Sequence, residues 1–219
     1  MAGPPPNSHR GNTSDLPSLL RTASVLIVGA GGPGREIARQ LVALGVATLT
    51  VVDPTVVQPS DICSAGFGAH DVGSFKVDAV GNLCHQANPL LDYTGVAAHF
   101  QPEILVVPYV FCCLDDAVER QIVWRQCLDH GRFWADVRVH DEIVSVSTVN
   151  DPAGKLRYEE RLASEAKRQP STVPGLVYLA DMAASLAVYQ LVRHLKGLPV
   201  QHEIHFDPAT GRYEIADDE

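Results

Sequence analysis

Apolar and polar positions alternate along the chain in blocks of two different periods. Ser24-Val-Leu-Ile-Val28 and Thr48-Leu-Thr-Val-Val52 are short, nearly continuous apolar runs, as buried parallel strands are. Between them, Ile37, Ala38, Leu41 and Val42 repeat at helical spacing, which predicts a helix over 34–44 closed by Gly45. A polar stretch rich in Gly and Pro from Pro54 to about Ser74 reads as a crossing loop. Val77, Val80, Leu83 and Cys84 then mark a helix that Asn88-Pro89 stops. Strands are predicted over 93–99 and 106–114 with only a short link between them. Asp116-Ala-Val-Glu119 has capping-box spacing and opens a helix through Cys127.

Strands over 132–137 and 142–149 follow, then a turn at Asn150-Asp-Pro-Ala-Gly154 and a charged, solvated segment over 159–168. Tyr178 to Leu195 reads as an Ala- and Leu-rich helix, and 201–206 with 212–215 as a closing hairpin. The order predicts an α/β, Rossmann-like fold: a mostly parallel sheet with helices on both faces, ending in a C-terminal antiparallel β extension. Residues 1–18, rich in Pro, Gly, Asn and Ser, read as a flexible arm, and 19–219 as one domain.

The junction after the first strand carries the chemistry. Gly29, Gly31 and Gly34 stand between that strand and its helix, with Asp53 at the tip of the next strand. The first glycine allows a tight turn, the second lets a phosphate approach the backbone, and the third lets helix and strand pack closely. In such sheets ligands bind at the carboxyl ends of the strands, which adds Asp115, just past the 106–114 strand, to the same edge.

Composition narrows the partners. A net charge of −9 and a pI of about 5.4 disfavour binding along a nucleic-acid backbone. No apolar run reaches membrane-spanning length and the first residues lack a signal-peptide pattern, so a cytoplasmic protein is expected. Cys63, Cys84, Cys112, Cys113 and Cys127 include no Cys-x-x-Cys pair. Cys112 and Cys113 read as buried strand residues, whereas Cys63 lies in a loop-like setting. The nine histidines show no metal-ligand spacing, and Arg120 reads as a helix-surface arginine.

Taken together, Val25-Leu-Ile-Val-Gly-Ala-Gly-Gly-Pro-Gly34, Gly45-Val-Ala-Thr-Leu-Thr-Val-Val-Asp53, His70-Asp-Val-Gly-Ser-Phe-Lys-Val-Asp-Ala79, Asn88-Pro89 and Leu114-Asp-Asp-Ala-Val-Glu-Arg120 resemble the ThiF/MoeB/HesA family, which includes the ubiquitin-activating enzymes. The similarity runs over 24–151 and resumes over 174–197. It implies a dimer, homomeric or heteromeric, that binds ATP with Mg2+ and adenylates a carboxylate. The implied substrate is the C-terminus of a small ubiquitin-like or sulfur-carrier protein, or a small-molecule carboxylate. Carried over by motif, Gly29, Gly31 and Gly34 would cradle the nucleotide and Asp53 would bind its ribose. Lys76 would meet the phosphates and Asp115 would hold the metal, both as catalytic residues.

The chain also departs from the family pattern. Ser60-Asp-Ile-Cys-Ser-Ala65 stands where the family has Ser-Asn-Leu-x-Arg-Gln, putting Asp61 in place of an amide and Ser64 in place of a phosphate-binding arginine. The arginine-rich motif before the first strand is missing, which leaves Arg10, to be supplied across a dimer, and Arg21. The zinc-binding Cys-x-x-Cys pairs are absent, and 150–174, where a catalytic cysteine often sits, holds none, which implies no thioester step. The short link after His99 implies a trimmed or missing helix. Three functions stay open: a reduced ATP-dependent adenylyltransferase, a non-catalytic ThiF-like subunit of a heteromeric assembly, and an NAD-dependent oxidoreductase. Lys76 and Asp115 argue against the third, and the missing arginine against the first.

Overall fold

A computed structural model describes residues 16–101, 103–104, 107–127, 131–165 and 176–215. Within these, the chain runs α1 (Leu16–Arg21), β1 (Ser24–Val28), α2 (Gly32–Ala43), β2 (Thr48–Val52), α3 (Asp61–Ala65), α4 (Lys76–Ala87), β3 (Asp92–Val96), β4 (Tyr109–Cys112) and α5 (Ala117–Cys127). It continues through β5 (Phe133–His140), β6 (Ile143–Val149), α6 (Pro152–Glu165), α7 (Val177–Leu195), β7 (Glu203–Asp207) and β8 (Arg212–Ile215).

All strands join one sheet in the order β3-β2-β1-β4-β5-β6-β7-β8. Pairs from β3 to β5 are parallel, and those from β5 to β8 antiparallel. Chain order and sheet order part company between β1 and β4, because β1 connects to β2 on one side while β4 arrives from β3 at the far edge. That reversal opens a crevice beyond the carboxyl ends of β1 and β4, where open α/β sheets bind ligands.

The alternating side chains of the parallel strands build two cores. Val25, Ile27, Leu49, Val51 and Phe111 face one side with Ile37 and Leu41 of α2, Val80 of α4 and Leu191 of α7. Leu26, Val28, Val52, Val110 and Cys112 face the other with Trp124 of α5 and Tyr158 and Leu162 of α6. Because β1 lies between helices on both faces, Val25 to Val28 are all buried, as its unbroken apolar run foretold.

Two expected segments fold differently. The turn read at 150–154 and the solvated segment read over 159–168 give way, as far as the described residues run, to α6 over Pro152–Glu165. Asp151 accepts the Gly154 N–H at 2.8 Å, as an N-cap does, and Pro152 occupies the first helical position, where its missing N–H costs nothing. Gly154, Tyr158 and Leu162, four residues apart, form a buried stripe too narrow to stand out among the charges around it. The stretch 54–74, read as a crossing loop, contains α3 and a 3-10 turn at Ala69–Asp71, anchored by buried Val57, Ala65 and Phe67. Residues 1–15 of the expected arm, including Arg10, lie outside the described residues, and Leu16–Arg21 is helical with Leu20 buried. β3 ends at Val96 and β4 begins at Tyr109, so the link between them is longer than the short one expected; among its described residues there is no helix.

Candidate functional site

Each glycine of the turn has a distinct surrounding. Gly29 has a φ of +97°, which only glycine adopts at no cost, and a Cβ there would lie 2.6 Å from the Cys113 carbonyl oxygen. At Gly34 a Cβ would meet the Gly29 carbonyl oxygen at 1.9 Å, so the helix closes onto the turn by backbone contact alone. A Cβ at Gly31 would meet nothing within 4 Å. The turn is therefore locked below by Gly29 and Gly34 and open above at Gly31, the geometry of a cradle.

Asp53, at the tip of β2 and 7% exposed, ties the cradle to its surroundings. Its Oδ2 accepts the Ala30 N–H at 2.7 Å, while Oδ1 accepts the Thr55 N–H at 2.7 Å and the Thr55 hydroxyl at 2.5 Å. The same segment recruits Lys76. Lys76 N–H donates to the Thr55 carbonyl at 3.0 Å, Val57 N–H donates to the Ser74 carbonyl at 2.9 Å, and Val56 bridges Phe75. Backbone pairing between 55–57 and 74–76 thus returns the chain, after some twenty residues, to the tip it left, and starts α4 beside Asp53.

Lys76 meets an acid there. Its Nζ lies 3.3 Å from Asp61 Oδ1, and each side chain is 14% exposed. Asp61 Oδ2 accepts the Gln58 N–H at 2.8 Å, which holds the carboxylate in place at the start of α3. Ser64 turns back on its own helix, donating to the Ser60 carbonyl at 3.0 Å. Arg21 likewise bonds locally, to the Pro17 carbonyl at 3.3 Å.

Asp115 follows β4, on the other side of the crevice. Asp116 serves as the cap of α5, accepting the N–H groups of Val118 and Glu119 at 2.8 Å, which leaves the Asp115 carboxyl free of that duty. Asp115 reaches solvent at the sheet edge, yet the protein packed behind it lifts its carboxyl above the usual carboxylate range, against the opposing charges of Arg120 and Lys76. Gly29, Gly31, Gly34, Asp53, Lys76 and Asp115 accordingly gather on one edge of the sheet.

Arg120 is a correction. Instead of lying on the helix surface it is 3% exposed, its Nη2 donating to the Leu114 carbonyl at 2.8 Å and the Asp115 carbonyl at 3.3 Å. Its Nε lies 3.4 Å from Oδ1 of Asp136, a fully buried strand carboxylate. Arg138 and the Tyr158 hydroxyl approach the other oxygen of Asp136 at 3.3 and 3.0 Å. Burial and the adjoining Asp136 charge push the Tyr158 phenol up, keeping it a donor. This network pins the backbone that carries Asp115. Arg120, Val123, Trp124 and Cys127 recur at helical spacing, and Asp136 interrupts an apolar strand; both signals were present in the sequence.

Cys84 and Cys112 are buried in the core, and Cys113 lies at the end of β4 with its thiol pushed well up by burial. Cys63 is exposed on α3. Among the described residues no group of three His, Cys, Asp or Glu is arranged to hold a metal ion.

A switch-point crevice with a glycine cradle, an acid-tipped second strand and a lysine returned beside it defines a Rossmann-type α/β protein with one candidate nucleotide site. The chain belongs to the ThiF family, whose model matches residues 14–216. It is 34% identical over 115 residues to the adenylyltransferase and sulfurtransferase uba4 of Pyricularia oryzae, a match covering 50% of this chain and 24% of that protein. It is 35% identical over 74 residues to the DNA damage tolerance protein RHC31 of Saccharomyces cerevisiae, covering 33% of this chain and 21% of that one. The chain thus spans about a quarter or less of the curated relatives it matches. Escherichia coli MccB, solved with ATP, superposes with a TM-score of 0.73 at 12% identity, over 92% of this chain and 66% of that one. PaaA superposes with the same TM-score of 0.73 at 18% identity, over 91% and 74%. At such identities the likeness is one of fold.

Proposed function

We propose that this chain binds ATP with Mg2+ at the switch-point crevice and adenylates a carboxylate. The substrate would be the C-terminus of a small ubiquitin-like or sulfur-carrier protein, or a small-molecule carboxylate. The observation that carries the reading is the convergence of Lys76 and Asp115 from distant segments onto the edge that bears the open Gly31 cradle and Asp53. Membership of the ThiF family, and the names of its adenylyltransferase relatives, support it.

In this reading a substrate carboxylate oxygen attacks the α-phosphorus, forming a new P–O bond as the bond to the β-phosphate oxygen breaks. Pyrophosphate leaves with the electron pair. The open turn at Gly31, before the positive end of α2, receives the phosphates, and Asp53 supports the ribose end while holding the turn through Ala30. Lys76 offsets negative charge on the departing phosphates. A magnesium ion on Asp115 would supply further neutralisation of that charge. The chain works as a homodimer or heterodimer in the cytoplasm and, with no cysteine over 150–174, forms no thioester there.

A second reading has a specific observation behind it. Asp61 already occupies Lys76 and Ser64 offers no positive charge, as suits a nucleotide-binding subunit without catalysis in a heteromeric assembly. Pyrophosphate exchange into ATP, assayed with candidate carboxylates, separates the two: exchange marks the enzyme, and ATP binding without exchange marks the subunit. Titration of ATP with Mg2+ against NAD, followed by thermal stability, checks the site itself, because a ligand specific to the native state raises the melting temperature by mass action. Stabilisation by NAD alone overturns the ATP reading.

A further inference from the structure

The ion pair between Lys76 and Asp61 raises a question of its own, because it neutralises the positive side chain best placed for a phosphate. Both side chains are mostly buried, so the pair is less screened by salt than a surface bridge. Asp61 is held toward the lysine by the Gln58 N–H on its other oxygen. Across the crevice stands a second acid, Asp115, close enough for Lys76 to act on its charge. With Asp61 and Asp115 ionised, the three groups carry a net charge of one negative unit. A polyphosphate entering without a cation therefore meets repulsion, together with a lysine already engaged.

We propose that Asp61 is a charge latch on the phosphate end of the site: its carboxylate holds Lys76 in the nucleotide-free protein and releases it only to a polyphosphate that arrives with a divalent cation. This rests on the ATP reading above and deepens it by assigning the control of phosphate entry to Asp61. In the closed state Lys76 pairs with Asp61. In the open state the lysine turns to the phosphates, and the cation offsets the negative charge that the two aspartates leave behind. The latch makes the bare nucleotide a poor ligand and the cation–nucleotide complex the preferred one, a specificity that a neutral amide at position 61 would not provide.

Asp61→Asn preserves a side-chain oxygen for the Gln58 N–H and removes the charge, so it tests the latch without removing the anchor. Calorimetric titration of the full chain with ATP, with and without Mg2+, is expected to show tighter binding in Asp61→Asn by about tenfold or more, with a smaller dependence on Mg2+. Repeating the substitution in a Lys76→Ala background separates the latch from general repulsion, since a latch acts through Lys76 and its gain must shrink when the lysine is gone. An equal gain in both backgrounds overturns the latch. Wild-type binding of ATP with no change in Asp61→Asn also overturns it and leaves the ATP reading standing. If neither protein binds ATP in either condition while both keep the same melting temperature, the latch and the ATP reading fall together.

Discussion

Asp53 accepts a hydrogen bond from the Ala30 N–H at 2.7 Å, joining the tip of β2 to the glycine turn after β1. The turn is thus braced from the side by a carboxylate whose other oxygen is held by Thr55. Asp53→Ala removes the charged acceptor and leaves the buried Ala30 N–H without its partner. A loss of about 2–3 kcal/mol in unfolding free energy is expected by denaturant titration, together with weaker ATP binding. Thr55→Val removes one bond to Oδ1 and is expected to cost less.

The glycines separate fold from binding. Gly34→Ala forces a Cβ onto the Gly29 carbonyl oxygen, a backbone atom that cannot swing aside, and is expected to cost about 3 kcal/mol or more of stability. Gly31 has a φ of −67° and open space above it, so Gly31→Ala is expected to change stability by less than about 0.5 kcal/mol. Its new methyl group would nevertheless stand where a phosphate approaches the turn. Denaturant melts and ATP titrations of both variants should therefore diverge: the first loses stability, the second loses affinity.

Lys76→Ala and Asp115→Ala are each expected to weaken ATP binding in the presence of Mg2+ by about tenfold or more, to a level still measurable. Circular dichroism spectra should match the parent in both variants; Asp115→Ala should keep its melting temperature, whereas Lys76→Ala, which leaves the mostly buried Asp61 without its cation, should melt lower. Unchanged ATP affinity in both variants would overturn the site assignment.

Asp115 also sets a pH dependence. Its carboxyl is raised by the protein packed behind it, so on lowering the pH it takes up a proton before an ordinary aspartate does and loses its charge for a cation. The Mg2+-dependent part of ATP affinity is expected to fall on acidification from neutral pH, before the ordinary aspartate range near about pH 4 is reached, and Asp115→Asn should flatten that part of the profile. Calorimetry across this range reads the effect directly.

Arg120 and Asp136 form a buried pair behind Asp115, and removing Arg120 strips one of two cations from a fully buried carboxylate that Arg138 and Tyr158 then hold alone. Arg120→Met is expected to cost about 3–5 kcal/mol of stability in denaturant melts. Arg120→Lys keeps the charge but loses the fork that reaches the Leu114 and Asp115 carbonyls, and should weaken ATP binding more than it lowers stability.

Much of this could be read from the chain alone. The residues of β1 and β2 were bounded correctly because an unbroken apolar run between turn signals has few other folds, and the glycine spacing marked the turn because only glycine tolerates the contacts at Gly29 and Gly34. α6 escaped because its buried stripe holds only Gly154, Tyr158 and Leu162.

What local sequence determined was therefore the fold class and the cradle, set by short-range periodicity and backbone demand, while the role expected of Lys76 came from the resemblance of its motif to the family. What tertiary structure decided was how charges meet. Asp61 and Lys76 are fifteen positions apart, Arg120 and Asp136 sixteen, and each pair forms because sheet pairing and loop return bring the segments together. Coulomb interaction depends on distance and burial, which one-dimensional spacing does not carry. A lysine legible as a phosphate partner in the sequence is, in the folded chain, already paired with an acid.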